Sequence, residues 1–232
     1  MNAQNLSLRL QKVASFVPKG AILADIGSDH AYLPCYLVHR GIVEKAIAGE
    51  VVKGPYESAV KKVKEEGLEE QITVRLANGL EAIHGSDGVD TITIAGMGGP
   101  LITSILDNNP EKLQRVSRLI LQPNIHAKVI REWALKNGWA IIDEVILEED
   151  GQIYEILVLE PGNMDLIEVE ILLGKKLIQE KSEVFIKKWT KELDNWKNIL
   201  SSIEKATPSP EIVAKREELL HLIGLVEEVM NN

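Results

Sequence analysis

The chain has 232 residues, of which 45% are hydrophobic and 26% are charged. This composition is typical of a folded globular protein and excludes the disordered and fibrous classes, while the length allows one large core and a second small domain. The formal net charge of −9 argues against a protein that coats nucleic acid indiscriminately. A local basic face could still contact a folded RNA.

Three further features of the sequence concern disulfides, membrane spans and metal binding. Cys35, the single cysteine, permits no internal disulfide, and its apolar neighbours predict a buried thiol. No charged-then-apolar signal opens the chain, and no apolar run approaches the ~20 residues that cross a bilayer. Metal-ligand spacing is absent from the scattered histidines His39, His84, His126 and His221. We therefore expect a cytoplasmic monomer without a membrane span or a metal.

The first two thirds of the chain alternate between helix and strand patterns. Ser7 is predicted to cap an amphipathic helix that ends at Pro18-Lys19-Gly20. Strand patterns follow at residues 22–26, 45–50, 72–76, 91–95 and 119–122, and helical patterns lie between them at residues 33–40, 56–66, 100–106 and 128–137. This cadence predicts an α/β fold with a doubly wound, mainly parallel sheet.

The end of this region has a different pattern. Two β-rich runs at residues 139–148 and 152–159 are joined through Glu149-Asp150-Gly151, and Asp-Gly is a strong hairpin signal. The sheet should therefore end antiparallel and contain seven strands. This layout resembles that of the Rossmann-like Class I S-adenosylmethionine-dependent methyltransferases rather than the all-parallel dinucleotide dehydrogenases, a comparison that concerns the fold alone.

Beyond Pro161-Gly162 the chain shows a heptad pattern. It is carried by Ile186, Trp189, Leu193, Trp196, Leu200 and Ile203, and then by Leu219, Leu222, Val226 and Val229. The pattern predicts two antiparallel helices, separated by the breaker at residues 207–210, that form a coiled-coil hairpin. We thus expect two domains, residues 1–160 and 161–232. The first of these helices carries Lys181, Lys187, Lys188, Lys191 and Lys197, either as a solvated face or as an arm that contacts RNA phosphates.

The loop Asp25-Ile26-Gly27-Ser28-Asp29-His30 directly follows a predicted buried strand. In an open α/β sheet, cofactors bind outside the carboxyl ends of the strands, where a glycine lets a ligand approach the backbone. The loop has the acid-x-Gly-x part of a methyltransferase motif but lacks the later glycines of Gly-x-Gly-x-x-Gly, so a dinucleotide pyrophosphate fits less well. An ordinary strand-to-helix turn is the alternative interpretation.

Further polar or glycine-rich loops follow the next predicted strands. Glu50 could accept hydrogen bonds from both hydroxyls of a ribose, or it is a surface glutamate. Asn78-Gly79 could present an amide to an adenine edge, or it forms a simple turn. The loop at residues 95–99 places glycines where a cofactor and a target base must approach the backbone, and Met97 packs either on a ring or in the core. Gln122-Pro123-Asn124 either shapes the same crevice or forms a turn.

Together these segments carry a family resemblance. The order and spacing of residues 25–34, 49–55, 78–80, 95–99 and 121–124, followed by a helical C-terminal hairpin, resemble the bacterial TrmK family of tRNA (adenine(22)-N(1))-methyltransferases over essentially the whole chain. The resemblance implies S-adenosylmethionine as cofactor, tRNA as substrate and a cytoplasmic location. The cofactor-binding residues we predict are Asp25, Gly27, Ser28, Asp29, Glu50, Asn78, Gly79, Ala95, Gly96, Met97 and Gly98.

For such a reaction the candidate catalytic residues lie in the first loop. Adenine N1 has an in-plane lone pair that is free at neutral pH, so methyl transfer to it needs no base and depends mainly on positioning. Asp29 is the first candidate, because a carboxylate can stabilise the positive charge that moves onto the purine. His30 and Tyr32 hydrogen-bond to the base or stack on it, or they pack within the loop. The chain lacks the Asn/Asp-Pro-Pro-aromatic tetrad of many amino-directed methyltransferases, which favours attack by a ring nitrogen.

A tRNA must reach this crevice although both predicted domains carry more acidic than basic residues. We expect local phosphate contacts from Arg9, Lys12, Lys128 and Arg131, and an adenine that leaves the stack or is already exposed. Two other classes stay open on the residues alone. An NAD-dependent oxidoreductase needs a fuller glycine fingerprint, and a non-enzymatic RNA-binding protein predicts no cofactor binding.

Overall fold

A computed structural model describes residues 4–203 and 209–231, and these divide into two compact units between Asp165 and Leu166. Residues 1–3 of the chain start, which the sequence predicts to carry no targeting signal, and Thr207 and Pro208 of the predicted breaker lie outside the described residues. Within the described ranges, no helix is long and apolar enough to cross a membrane.

The first unit is a seven-stranded sheet with intervening helices. Its strands are β1 (Ala21–Ile26), β2 (Val43–Glu50), β3 (Ile72–Leu76), β4 (Thr91–Gly98), β5 (Arg118–Ile125), β6 (Trp139–Glu149) and β7 (Gln152–Pro161). Its helices are α1 (Leu8–Ser15), α2 (Tyr32–His39), α3 (Lys53–Glu65), α4 (Gly99–Asn108) and α5 (Ala127–Lys136). The strand order is β3-β2-β1-β4-β5-β7-β6, and β7 is antiparallel to both of its neighbours. The predicted α/β fold and its terminal hairpin are confirmed.

Local signals explain how these elements begin and where they lie. Ser7 caps α1 as predicted, since its side-chain oxygen accepts the backbone N–H of Leu10 at 3.3 Å.

The central strands are apolar on both faces, as parallel strands covered by helices must be. Leu23, Ile92 and Leu119 are fully buried there, which places the core on both sides of β1, β4 and β5.

The predicted fourth strand ends at Ala95, but β4 continues to Gly98. Met97 pairs with Pro123 and Gly98 pairs with Ile125, with register shifts on both sides of Met97. The glycine-rich segment is therefore an irregular continuation of the sheet, fixed against β5, rather than a free loop.

The second unit contains only helices among the residues described. They are α6 (Glu168–Leu173), α7 (Lys175–Glu180), α8 (Glu183–Ile203) and α9 (Pro210–Asn231), of which the two short helices were not predicted. Helices α8 and α9 pack on each other through a buried set consisting of Phe185, Trp189, Leu193, Leu219, Ile223 and Val226. The placement of Ile186 in this seam is wrong, because this residue is 44% exposed and the neighbouring Phe185 is buried instead.

Two lysines of the predicted lysine-rich face are engaged within this unit. Lys181 donates to the carbonyl oxygen of Val229 at 2.7 Å, and Lys197 pairs with Glu227 at 2.6 Å. These contacts support the interpretation of a structural, solvated face for those two residues.

Candidate active site

A crevice of about 280 Å³ opens at the carboxyl edge of β1 and β4. The predicted site residues that line it are Asp25, Gly27, Ser28, Asp29, Tyr32, Ala95, Gly96 and Met97. Its position outside the strand ends, next to the point where the strand order reverses between β1 and β4, is where open α/β sheets bind ligands.

The loop after β1 has an unusual backbone. Gly27 has a φ of +73°, and the non-glycine residues Asp29 and Ala31 have φ values of +52° and +54°. The N–H groups of Gly27 and Ser28 both donate to the carbonyl oxygen of Gly49, at 2.9 and 3.2 Å. Left-handed conformations at residues other than glycine cost about 1–3 kcal/mol each and cluster at functional sites. The loop is thus a strained segment held in place by its neighbours.

Asp25 fixes this loop to the sheet. Its Oδ2 atom accepts the Ser28 hydroxyl and its Oδ1 atom accepts the Thr93 hydroxyl, both at 2.6 Å. Burial raises the pKa of the Asp25 carboxyl to about 6. The hydrogen bonds from the Ser28 and Thr93 hydroxyls lower this pKa, and the nearby charge of Glu50 raises it by a smaller amount. Asp25 therefore links β1, β4 and Ser28 beneath the crevice.

Glu50 supports the same loop from the end of β2. Glu50 as a whole residue is only 6% exposed, and its carboxylate accepts the backbone N–H of Asp29. Burial raises the pKa of Glu50, and the Asp29 N–H bond opposes this shift. Glu50, Asn78, Gly79 and Gly98 are not among the residues that line the crevice, so their predicted contacts with a cofactor stay predictions.

Of the three candidate catalytic residues, Asp29 and Tyr32 line the crevice, and His30 lies next to both of them. His30 Nε2 is 3.7 Å from Asp29 Oδ1, and the side chains of these two residues are 43% and 65% exposed. The rings of His30 and Tyr32 stack with centroids 5.2 Å apart and planes 28° apart. An open carboxylate and a stacked ring pair are therefore available to a substrate, with Tyr32 lining the crevice itself.

The opposite wall is braced by polar side chains of β5. Gly96, with a φ of +82°, donates its N–H to Gln122 Oε1 at 2.9 Å, and its carbonyl oxygen accepts Asn124 Nδ2 at 2.8 Å. Gln122 is fully buried, so the Gln122-Pro123-Asn124 segment shapes the crevice rather than forming a mere turn. Met97 lies against the first loop, since a Cβ at Gly27 would be 2.1 Å from its Cε atom.

Shaping of the crevice was one of two alternatives that the sequence left open for Gln122, and its hydrogen bonds with Gly96 and Arg9 favour that alternative over a turn. A second close approach follows at the start of α4. A Cβ at Gly99 would lie 2.2 Å from the carbonyl oxygen of His126, so only glycine allows the segments after β4 and β5 to pass at this distance.

The predicted phosphate-binding residues have different environments. Lys12 Nζ lies 5.1 Å from the ring centroid of Phe16. On the surface of α5, Lys128 Nζ lies 3.7 Å from Glu132 Oε1. The prediction for Arg131 is wrong. Its side chain is fully buried and pairs with Glu144 at 2.6 Å and Glu155 at 2.5 Å, so it cannot reach a phosphate.

The remaining sequence expectations concern the thiol and metals. Cys35 is buried as predicted, and burial raises the pKa of its thiol to about 12, so it stays protonated and unreactive. Among the residues that the structure describes, no group of three or more His, Cys, Asp and Glu side chains could hold a metal ion.

These features fit a small nucleoside cofactor with cationic groups. The lining combines acidic side chains with bare backbone at Gly27 and Gly96, and it lacks a glycine-rich turn for a pyrophosphate. Together with a sheet that ends in an antiparallel hairpin, they define a Rossmann-like Class I methyltransferase fold.

Comparisons with known proteins agree with this class. A family model described as tRNA (adenine(22)-N(1))-methyltransferase matches residues 23–228. The tRNA (adenine(22)-N(1))-methyltransferase of Bacillus subtilis (strain 168) is 48% identical over 238 residues, which cover 100% of both chains. The chain therefore belongs to the family of tRNA (adenine(22)-N(1))-methyltransferases, and its predicted family membership is confirmed.

Two solved structures carry a cofactor or its product. A Streptococcus pneumoniae protein solved in complex with S-adenosyl-L-methionine is 49% identical, with a TM-score of 0.89 and coverage of 97% of this chain and 100% of that one. The M. capricolum TrmK, solved in complex with S-adenosyl-homocysteine, is 31% identical with a TM-score of 0.87, and the match covers 97% of this chain and 98% of that one.

Proposed function

We propose that this chain is an S-adenosylmethionine-dependent methyltransferase that methylates N1 of adenine 22 in tRNA. One observation carries the proposal. Most of the predicted cofactor-binding and catalytic residues line one crevice, in a chain that matches a tRNA (adenine(22)-N(1))-methyltransferase over its whole length. We propose a methyltransferase domain of residues 1–160 and a coiled-coil domain of residues 161–232, in a cytoplasmic monomer; the two compact units of the structure divide five residues later, between Asp165 and Leu166.

Several residues of the first unit would hold the cofactor. Bound S-adenosylmethionine supplies a methyl group activated by a sulfonium. Gly27 and Gly96 offer backbone without side chains, and Asp25 holds Ser28 in place. Glu50 ends β2 opposite Leu76, two residues before Asn78, so both polar residues lie on the same edge of the sheet. This adjacency supports contacts of Glu50 with the ribose and of Asn78 with the adenine of the cofactor.

The chain's catalytic contribution is to orient the base and to stabilise charge. Adenine N1 needs no deprotonation, so no general base is required, and orientation of the reactants can contribute up to ~7–11 kcal/mol. Asp29 presents an open carboxylate that stabilises the positive charge gained by the purine. The stacked rings of His30 and Tyr32 contact the base, and Lys12 and Lys128 contact tRNA phosphates.

Nucleoside analysis tests the proposal. The protein is incubated with methyl-labelled S-adenosylmethionine and unmodified tRNA that has either adenine or guanine at position 22. We expect labelled 1-methyladenosine from the first tRNA and background label from the second. Equal label in both tRNAs, or label on another atom, would contradict the proposed site. Calorimetry with S-adenosylhomocysteine and NAD separates this class from an oxidoreductase, and binding of neither would favour a non-enzymatic protein.

A further inference from the structure

We infer that Arg9 binds the carboxylate of the cofactor's amino-acid group, in place of the tRNA phosphate expected from the sequence. The identity of the ligand rests on the proposed function. The location of the guanidinium rests on contacts within the first unit alone.

Arg9 is directed into the crevice by the anchoring of α1. Glu149, at the end of β6, accepts the backbone N–H groups of both Leu8 and Arg9, the latter at 3.2 Å. Four residues further along the helix Val13 is completely buried, so Arg9 lies on the inward face of α1. An acidic side chain from the hairpin therefore anchors, together with the Ser7 cap, the start of the helix that carries Arg9.

The guanidinium is held at the wall of the crevice by neutral groups. Arg9 Nη1 donates to Gln122 Oε1, the same oxygen that accepts the N–H of Gly96. Arg9 Cζ lies 5.2 Å from the ring centroid of Tyr154, and Nη1 would be 3.7 Å from a Cβ at Gly96. The charge is therefore located beside the bare backbone of Gly96, where a ligand can approach.

This positive charge contacts neutral groups. In the described ranges, the Arg9 side chain forms a hydrogen bond with Gln122 and a cation–π contact with Tyr154, and neither group carries a negative charge. A guanidinium has five N–H donors in a planar fork that matches a carboxylate. With one hydrogen bond to Gln122, Arg9 retains donors for a paired contact with two carboxylate oxygens.

The charges of the crevice match those of the ligand. The amino-acid end of S-adenosylmethionine carries a sulfonium, an ammonium and a carboxylate. Asp25 and Asp29 in the lining attract the cations but repel the carboxylate, and Arg9 is the cationic side chain among the described lining residues. The carboxylate therefore has one favourable location in this crevice, beside Arg9.

Calorimetry with two ligands tests this assignment. S-adenosylhomocysteine is compared with its decarboxylated analogue, which lacks only the carboxylate, on the full chain and on Arg9→Met and Arg9→Lys. We expect Arg9→Met to weaken S-adenosylhomocysteine binding about 10- to 100-fold and to leave the analogue within about twofold, because hydrogen bonds between charged groups are lost for the first ligand alone. Arg9→Lys should restore part of the affinity. Lys19→Met, which removes an exposed charge outside the crevice, should bind both ligands as the unaltered chain does.

Two results would overturn the assignment. Equal losses for both ligands would mean that Arg9 only supports the fold of the crevice through Gln122 and Tyr154. Unchanged S-adenosylhomocysteine affinity together with a weaker, less salt-dependent tRNA affinity in Arg9→Met would mean that Arg9 contacts phosphate. Because these measurements are of binding, a failure of the unaltered chain to form 1-methyladenosine would contradict the proposed function without changing their outcome.

Discussion

The carboxylate of Glu50 accepts the backbone N–H of Asp29, although the two residues are 21 positions apart in the chain. Asp29 has a left-handed backbone, and the hydrogen bond joins the end of β2 to the loop after β1. The strained loop is therefore held by a buried acid of the neighbouring strand, before any ligand arrives. This arrangement connects the proposed cofactor site with the candidate catalytic residue Asp29 through the side chain of Glu50.

Replacement of Glu50 tests this dependence. Glu50→Ala removes both the support of the Asp29 loop and the proposed ribose contact, so affinity for S-adenosylhomocysteine should fall about 10- to 100-fold in calorimetry. Glu44→Ala is the matched control, since Glu44 lies on the same strand with its side chain exposed. A Glu50→Ala protein that binds the ligand as the unaltered chain does would contradict the role given to Glu50.

Asp29→Asn separates charge from backbone geometry. Asparagine tolerates the left-handed conformation of this position, so the loop should keep its shape while the carboxylate charge is lost. We expect the methylation rate at saturating tRNA and cofactor to fall about 100-fold, in the range of other electrostatic contributions to catalysis. Asp150→Asn is a matched control, because Asp150 also has a positive φ, in the β6–β7 turn. An unchanged rate in Asp29→Asn would remove Asp29 from the mechanism.

The buried Asp25 predicts a pH dependence of stability. Its pKa rises from 3.8 to about 6 on folding, so the folded state holds the proton more tightly and the contribution of Asp25 to stability decreases as the pH rises through this window. Between pH 5 and 7.5, the free energy of unfolding should therefore fall by about 1 kcal/mol through Asp25. Urea unfolding of Asp25→Asn should lack this component, so its stability relative to the unaltered chain should improve by that amount at the higher pH. A difference between the two proteins that is constant with pH would show that Asp25 does not titrate in this way.

Arg131 should matter for stability and not for tRNA. Arg131→Met leaves Glu144 and Glu155 buried without their cationic partner, and should lower the free energy of unfolding by about 3–5 kcal/mol. Lys128→Met, three residues earlier on the same helix, removes an exposed charge and should change it by less than about 1 kcal/mol. Addition of Glu144→Gln and Glu155→Gln to Arg131→Met should recover part of the loss. A stable Arg131→Met protein with weakened tRNA binding would contradict this account and support a contact of Arg131 with a tRNA phosphate.

The order of the elements was predictable because buried parallel strands and amphipathic helices have different apolar periods. All seven strands were predicted, and the hairpin followed from Asp150-Gly151. The extension of β4 to Gly98 was not predictable, because it depends on irregular pairing with β5 that no local pattern encodes. The two short helices before α8 are held by contacts within the second unit rather than by a long apolar period.

The site was predictable in its loops but less so in its charged residues. Arg131 was wrongly predicted to contact phosphate because the prediction relied on its charge and ignored its position on the helix. Its neighbours Ala127, Ile130 and Ala134 are buried and mark this side of α5 as the inner one. The position of Arg9 one helical turn before Val13 carried the same signal. A charged residue on the apolar face of a helix needs a buried partner or a ligand, and the tertiary structure decides which.

A crystal structure of the protein with S-adenosylhomocysteine tests the central claim most directly. The account predicts the ligand in the crevice between the Gly27–Asp29 loop and Gly96, with its amino-acid end beside Arg9. Density for the ligand at another place on the molecule, or an empty crevice at saturating ligand, would contradict it.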